Sequence, residues 1–406
     1  MLLKNLLVIE NAFSEPKKAD ILIENGRIKK VGSIEGEGID LSGKVAFPAF
    51  YNTHTHAAMT LMRGVSDDDP LDVWLFKKVL PLEDNLDEEM VYYGTMVAMM
   101  EMARSGIAGF IDMYFFLDSI AEAVKDFGMR ALITRGLVDE NGDDGGRLEK
   151  NLKFIEEWNG YNGRIFGGLG PHSPYLCSKG YLEKIAEAAK EYDVPVHIHI
   201  YESAWEREKY DAKEILEIFK DVKLIIAHAV QFKDDELEML LRENFFVAHN
   251  PSSNLKLGNG IAPVSQMLKK GVKVTIGTDG AASNNTLDML HEMRLAALIQ
   301  KSKNPTNMKV EEVLNMTTKV AAEAFGLKAG EIKEGMLADI VIFDSSDISC
   351  LPIDNIKSHI VHSRCKVFAT MVAGEWVYYD GVFPKIDESE ILSKFETLSK
   401  KLLGVE

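Results

Sequence analysis

Apolar residues along this chain follow two periods, and the change between them divides it. Near the amino terminus LLVIE and ADILIENGRIKKVG alternate at every second position, with Asn25-Gly26 as a hairpin signal, so residues 1 to about 48 read as short strands. From Val45 a different unit recurs: a β-branched or apolar run, then a stretch with the spacing of an amphipathic helix. The runs are VAFPAFYNTHTH, GIAGFIDMY, MRALITRGLVD, RIFGGLGPHSP, VPVHIHIYE, VKLIIAHAV, FFVAHNPSS and VKVTIGTDG. Helices are expected at 119–127, 148–158, 181–192, 235–243 and 287–301. Such alternation predicts a closed (β/α)8 barrel with its site at the carboxyl ends of the strands. A doubly wound open sheet would call for a glycine-rich phosphate loop after the first strand, and THTHAAM is not one.

The long connection from Ala57 to Glu83 is expected to wall or cover the barrel mouth. After a helix near Val310 to Phe325, GEIKEGMLADIVIFD and KVFATMVAGEWVYYDG return to strand character, and Glu388 to Leu403 reads as a surface helix. One small β-sandwich built from both chain ends is the expected way to bury these strands. The expected division is 1–48 and 329–406 for that composite unit and 49–328 for the barrel.

Composition narrows the function. The formal charge of −17 argues against a nucleic-acid or membrane-surface binder and for a free small molecule. Met1 to Ile9 is interrupted by Lys4 and Asn5 and reads as a strand, and no apolar run approaches the ~20 residues of a membrane span. Cys177, Cys350 and Cys365 are widely separated, with no CxxC pair, which predicts no disulfide framework and a reducing cytoplasm. Oligomeric state is left open.

Histidine placement supplies the chemistry. His54 and His56 end the first barrel run at i and i+2, which puts both imidazoles on one face. An isolated pair of this kind is as well explained by two partly exposed histidines at a strand end. Here, however, seven of the ten histidines fall on or just after the proposed strands. His54, His56, His199 and Asp279 make a three-histidine, one-carboxylate set suited to zinc or ferrous iron. Glu202, three residues beyond His199, can reach a substrate nitrogen; His228 can polarise an attacking water and Asp279 can take its proton.

The segments FPAFYNTHTHAAMTLMRG, HIHIYES, IIAHAV, HNPSSNLKLGNGIAP and GTDGAASNN resemble the amidohydrolase superfamily, and among its branches the methylthioadenosine and S-adenosylhomocysteine deaminases. The resemblance implies an enzyme in which water activated by one divalent ion, Zn2+ with Fe2+ as the alternative, replaces the 6-amino group of a purine nucleoside. S-adenosylhomocysteine would become S-inosylhomocysteine, and 5'-methylthioadenosine would become 5'-methylthioinosine, with release of ammonia. It implies metal binding by His54, His56, His199 and Asp279, catalysis by Glu202, His228 and Asp279, and substrate contacts from Glu83, Arg135, Arg147, His172, Glu202 and Asp279. Glu83 would accept from the ribose hydroxyls, and the two arginine forks would clamp an amino-acid carboxylate. For Arg147 the competing explanation is a solvated loop cation answering Asp143 and Asp144. RIFGGLGPH offers no lysine for a second metal. His197 is expected just behind the ligands; His249 and Ser283 receive no role. Rival readings are a guanine, cytosine or triazine hydrolase and, from another class, a metal-stabilised binding protein.

Overall fold

The computed structural model describes residues 1–405. Five strands open the chain: β1 (Leu2–Val8), β2 (Lys17–Glu24), β3 (Arg27–Gly32), β4 (Ile39–Asp40) and β5 (Lys44–Pro48). Asn25 and Gly26 both take left-handed backbone (φ 50° and 71°), the conformation a two-residue hairpin turn needs, and join β2 to β3. One residue after β5, a parallel series begins: β6 (Phe50–Thr55), β7 (Ile107–Tyr114), β8 (Arg130–Leu137), β9 (Ile165–Gly167), β10 (Gly170–Pro171), β11 (Val196–Ile200), β12 (Leu224–His228), β13 (Phe245–His249) and β14 (Val274–Ile276). Parallel ladders join β6 to β7, β7 to β8, and β8 to both β9 and β10. A second run joins β11 through β14.

Two seams close the ring. His197 N donates to Leu169 O (2.9 Å) and His199 N to His172 O (3.0 Å), which makes β9 and β10 one barrel position beside β11. Asp279 N donates to His54 O (3.0 Å), and the Thr53 and Thr275 hydroxyls lie 2.7 Å apart, joining β14 to β6. At this seam a Cβ on Gly277 would stand 2.8 Å from His54 Cβ, so only glycine lets the strands approach. The barrel strands are buried on both faces, as expected when side chains fill the interior and helices cover the outside.

The chain then returns through β15 (Ile340–Asp344), β16 (Val367–Val372) and β17 (Glu375–Tyr379). These pair with the first strands in one sheet of order β17-β16-β15-β5-β1-β2-β3, with β4 beside β1. The two chain ends thus share one hydrogen-bonded sheet with its own apolar cluster, including Leu3, Ile21, Ile340 and Met371.

Several local expectations change. The helix expected over 235–243 is a single 3-10 turn, Leu237–Leu240: these two residues are buried while Leu241 stays exposed, so the apolar stripe ends after one turn. The helix near Val310 to Phe325 is broken at Thr318 (φ −114°, ψ −90°), where the Thr317 and Thr318 hydroxyls donate back to Leu314 O at 3.1 and 2.7 Å. The Glu88–Arg104 helix has methionines on most sides, and this even burial hid its period in the sequence. Cys350 and Cys365 form a disulfide, contrary to expectation, because the intervening Ile356–His362 helix brings the chain back on itself. Cys177 is free and buried. No helix among the described residues is long and apolar enough to cross a membrane.

A buried ion pair fastens the barrel to the terminal sheet. Arg130, at the start of β8, meets Asp339, just before β15, through Nε–Oδ2 (2.7 Å) and Nη2–Oδ1 (2.9 Å). Tyr51 Oη donates to the same carboxylate at 2.6 Å and Ala373 N at 2.7 Å. Burial alone would raise the Asp339 pKa, but Arg130 and these donors hold it below the usual range. Its contribution to stability is thus complete above the ordinary aspartate value of about 4 and is lost as the pH falls toward the depressed native one. Asp339→Ala leaves a buried guanidinium without its partner, and equilibrium denaturation should show a loss of about 3–5 kcal/mol.

Candidate active site

The carboxyl ends of β6, β11, β12 and β14 bring His54, His56, His199, His228 and Asp279 to one place, all of them buried. Ligand atoms of His54, His56 and His199 lie within 4.8 Å of one another, as do those of His54, His228 and Asp279. Asp279 Oδ1 is 3.3 Å from Nε2 of both His54 and His56.

Each imidazole of the predicted set is tied down through Nδ1. His56 Nδ1 is 2.6 Å from the Met113 carbonyl, and His199 Nδ1 is 2.6 Å from the His172 carbonyl. A carbonyl can only accept, so both rings carry their proton on Nδ1 and leave the Nε2 lone pair free. His54 Nδ1 lies 2.8 Å from His197 Nε2, and His54 Nε2, wholly buried, has no hydrogen-bond partner among the described residues. Burial holds His54 down to about 4 and lowers His56 and His199 as well, so the rings are neutral. Neutral imidazoles offering Nε2 around a carboxylate are a donor set that fits one divalent metal ion. His197 occupies the supporting position expected of it.

Two carboxyls near this centre are pushed in opposite directions. Burial works against the Asp279 anion, yet the carboxyl is held well below its usual range, because a neighbouring imidazole, His54 first, stabilises the anion whenever it takes up a proton. Glu202 is raised well above its usual range by burial, with the Asp279 charge adding to the effect. Glu202 thus favours its protonated form and Asp279 its ionised one. Glu202 Oε1 accepts from Asn259 Nδ2 (3.0 Å), while Oε2 is 3.7 Å from His228 Nε2. His228 Nδ1 is 2.8 Å from Asn254 Oδ1; donation there leaves Nε2 as an acceptor. Tyr201, His228 and Asp279 all have left-handed backbone (φ 55°, 72° and 60°), strain of a kind concentrated at functional sites.

These groups face a cavity of about 270 Å³, walled on one side by Met59, Trp74 and Leu75 from the long 57–83 connection. That connection forms short turns, Ala57–Met62 and then Leu71–Glu83, so it supplies the wall expected of it. His172 lines the cavity and stacks on His199 with ring centroids 4.6 Å apart. Glu83 and Arg147 line both this cavity and an adjoining one of about 540 Å³, which Arg135 enters. Burial raises Glu83 to about 7, and its Oε1 has no partner among the described residues. Arg147 Nη1 donates to the Asp144 carbonyl (2.7 Å), and the Asp144 carboxylate instead accepts from Gly146 N, Leu148 N and Tyr181 Oη. Arg135 Nε has no partner among the described residues, and burial, with the like charge of Arg147, lowers its pKa.

Sequence reasoning missed the residues that brace Asp279, His228 and Glu202. Ser253 Oγ donates to Asp279 Oδ2 (2.6 Å), and Asn254 and Asn259 meet His228 and Glu202. All three lie in HNPSSNLKLGN, whose density of small polar residues directly after a barrel strand was the available signal. Ser283 Oγ only bonds the Gly280 carbonyl (3.0 Å). His249 is buried with neither ring nitrogen bonded among the described residues, and it is assigned no role.

Residues 45–377 match the amidohydrolase family. The chain is 54% identical over 407 residues to a 5-methylthioadenosine/S-adenosylhomocysteine deaminase of Thermotoga maritima, covering 99% of each. It is 42% identical to a 5'-deoxyadenosine deaminase of Methanocaldococcus jannaschii, covering 97% of this chain and 99% of that one. A crystal structure of an adenosine deaminase from Xanthomonas campestris with bound zinc superposes with a TM-score of 0.93 at 28% identity, over 100% of this chain and 98% of that chain.

The Ser253 bond to Asp279 sets the direction of the carboxylate whose other oxygen faces the imidazoles. Ser253→Ala should weaken divalent-metal binding about 10- to 100-fold, measured by competition with a chelator, while the protein keeps a cooperative thermal transition.

Proposed function

The chain belongs to the amidohydrolase family, whose members are metal-dependent hydrolases, and on that premise we propose that it deaminates adenine nucleosides bearing a 5'-thioether. The substrates are S-adenosylhomocysteine and 5'-methylthioadenosine; the products are the corresponding inosine compounds and ammonia. The observation that carries this reading is the buried Glu202 carboxyl beside His228, in a cavity that also holds His56, His199 and Asp279 and opens onto Glu83 and Arg147. The relatives named as deaminases of 5'-substituted adenosines support it.

His54, His56, His199 and Asp279 would hold one divalent ion, Zn2+ in this reading because the similar adenosine deaminase carries zinc. When bound, such an ion lowers the pKa of water from about 15.7 to about 7 and so supplies hydroxide near neutral pH. Glu202 delivers its proton to ring nitrogen 1, which draws electrons away from carbon 6. Asp279 takes one proton of the attacking water, while His228 Nε2 accepts a hydrogen bond from it. Asp279 then passes it to the 6-amino group, which leaves as ammonia, and the second proton of the water returns to Glu202 as the carbonyl at carbon 6 forms. His172 contacts the purine, Glu83 accepts from the ribose hydroxyls, and Arg135 with Arg147 binds the homocysteine carboxylate. Neither Arg147, at this cavity, nor Arg135, in the adjoining one, pairs with a carboxylate among the described residues, which supports that last assignment and disfavours a neutral free base as substrate. The net charge of −17 supports a free nucleoside over a nucleic acid.

The same reading divides the chain into a barrel, residues 49–328, and a composite β-sandwich from 1–48 and 329–406. The separate apolar cluster of the terminal sheet supports this division.

Glu202→Gln should keep full metal content yet lose about 10²- to 10⁴-fold in turnover of S-adenosylhomocysteine, followed by ammonia release; retained turnover removes the proton-delivery role. Arg135→Ala and Arg147→Ala should each raise KM for S-adenosylhomocysteine by about tenfold or more, with 5'-methylthioadenosine, which has no carboxylate, little affected. Equal effects on the two substrates would count against the clamp.

A further inference from the structure

Glu206 is completely buried, yet it takes both its hydrogen bonds from backbone: Oε1 accepts from Tyr201 N (2.8 Å) and Oε2 from Glu202 N (2.9 Å). Ser203 caps the short Ala204–Lys209 helix, its Oγ accepting from Glu206 N at 3.4 Å. The third residue of such a helix ordinarily returns its carboxylate to the amide of the cap residue itself. Here the carboxylate passes Ser203 and spans the two amides before it. A helix cap at the surface would need neither this reach nor the cost of a buried carboxylate.

The two amides belong to a backbone reversal. Tyr201 follows the last residue of β11 and sits at φ 55°, a conformation that an aromatic residue holds only when its surroundings enforce it. Its carbonyl accepts from Gln231 N (2.9 Å), and its hydroxyl donates to Tyr210 O (3.1 Å). The reversal departs from the line of β11 and leaves the Glu202 carboxyl against Asn259 and His228. We propose that Glu206 is a positioning residue for Glu202: by gripping the Tyr201 and Glu202 amides it fixes the reversed backbone from which the proton-delivering carboxyl hangs. The inference rests on the role of Glu202 given above and adds a second carboxylate, four residues on, that serves it without touching substrate.

Glu206→Gln keeps the size but sets an amide N–H against one backbone N–H. In the metal-loaded full-length protein, kcat should fall by about tenfold to a hundredfold, with KM and metal content within about twofold of the parent. Introduced into Glu202→Gln, the same change should cost nothing further, because the group it positions is already gone. A purely structural residue would lower activity by the same factor in both backgrounds, and that result, or an unchanged kcat in the single variant, overturns the proposal. Should Glu206→Gln fail to fold, Ser203→Ala, which only loosens the cap, should show a milder kcat loss that likewise vanishes in Glu202→Gln; a loss persisting there overturns it. If Glu202→Gln alone keeps its turnover, the role of Glu202 and this inference fall together. If Glu202→Gln loses turnover and Glu206→Gln does not, only the inference falls.

Discussion

The hydrogen bonds made by the inner nitrogens of His54, His56 and His199 are the constraint on which this barrel's chemistry depends. Buried imidazoles are held neutral, and a neutral imidazole has one donor and one acceptor nitrogen. The Met113 and His172 carbonyls take the Nδ1 protons of His56 and His199, leaving their Nε2 lone pairs free, and the His197 ring engages Nδ1 of His54, so the three Nε2 atoms turn toward the same centre as Asp279. A divalent cation is a partner that answers several lone pairs and a carboxylate together. The backbone closure of the ring and the tautomer of His199 are linked, since the His172 carbonyl accepts both the His199 amide and the His199 ring.

Around this centre the strand ends do two kinds of work. Ser253, Asn254 and Asn259 follow β13 and direct Asp279, His228 and Glu202 respectively. Tyr201, His228 and Asp279 hold left-handed backbone at or just after the ends of their strands, strain of a kind concentrated at functional sites. The opposite pKa shifts of Glu202 and Asp279 follow from the same arrangement: burial and the Asp279 charge raise one carboxyl, while the other is buried among imidazoles that stabilise its anion when one of them is protonated.

The terminal sheet serves the site at a distance. β5 and β6 are separated only by Ala49, so the strand that ends in His54 and His56 continues directly from the sheet built by the two chain ends. Arg130, Asp339 and Tyr51 lock that junction from the barrel side. The histidine pair is thereby anchored at the start of its strand as well as at its end.

Much of this was legible in the residues. The β/α alternation, the HxH pair and the placement of seven histidines depend on local periods and on composition, which a sequence carries directly. It also carried the hairpin at Asn25-Gly26 and the terminal helix, which forms over Glu388–Leu403 as expected. The evenly buried Glu88–Arg104 helix, the break at Thr318 and the Cys350–Cys365 pair were not legible, because each is decided by what packs against the segment and not by its own pattern. Nor could the sequence say which nitrogen each imidazole would offer, or that the Glu206 carboxylate would grip the amides before Ser203. Ring tautomer, carboxyl ionisation and backbone reversal are set by neighbours brought from remote parts of the chain, and only closure of the barrel brings those neighbours within hydrogen-bonding distance.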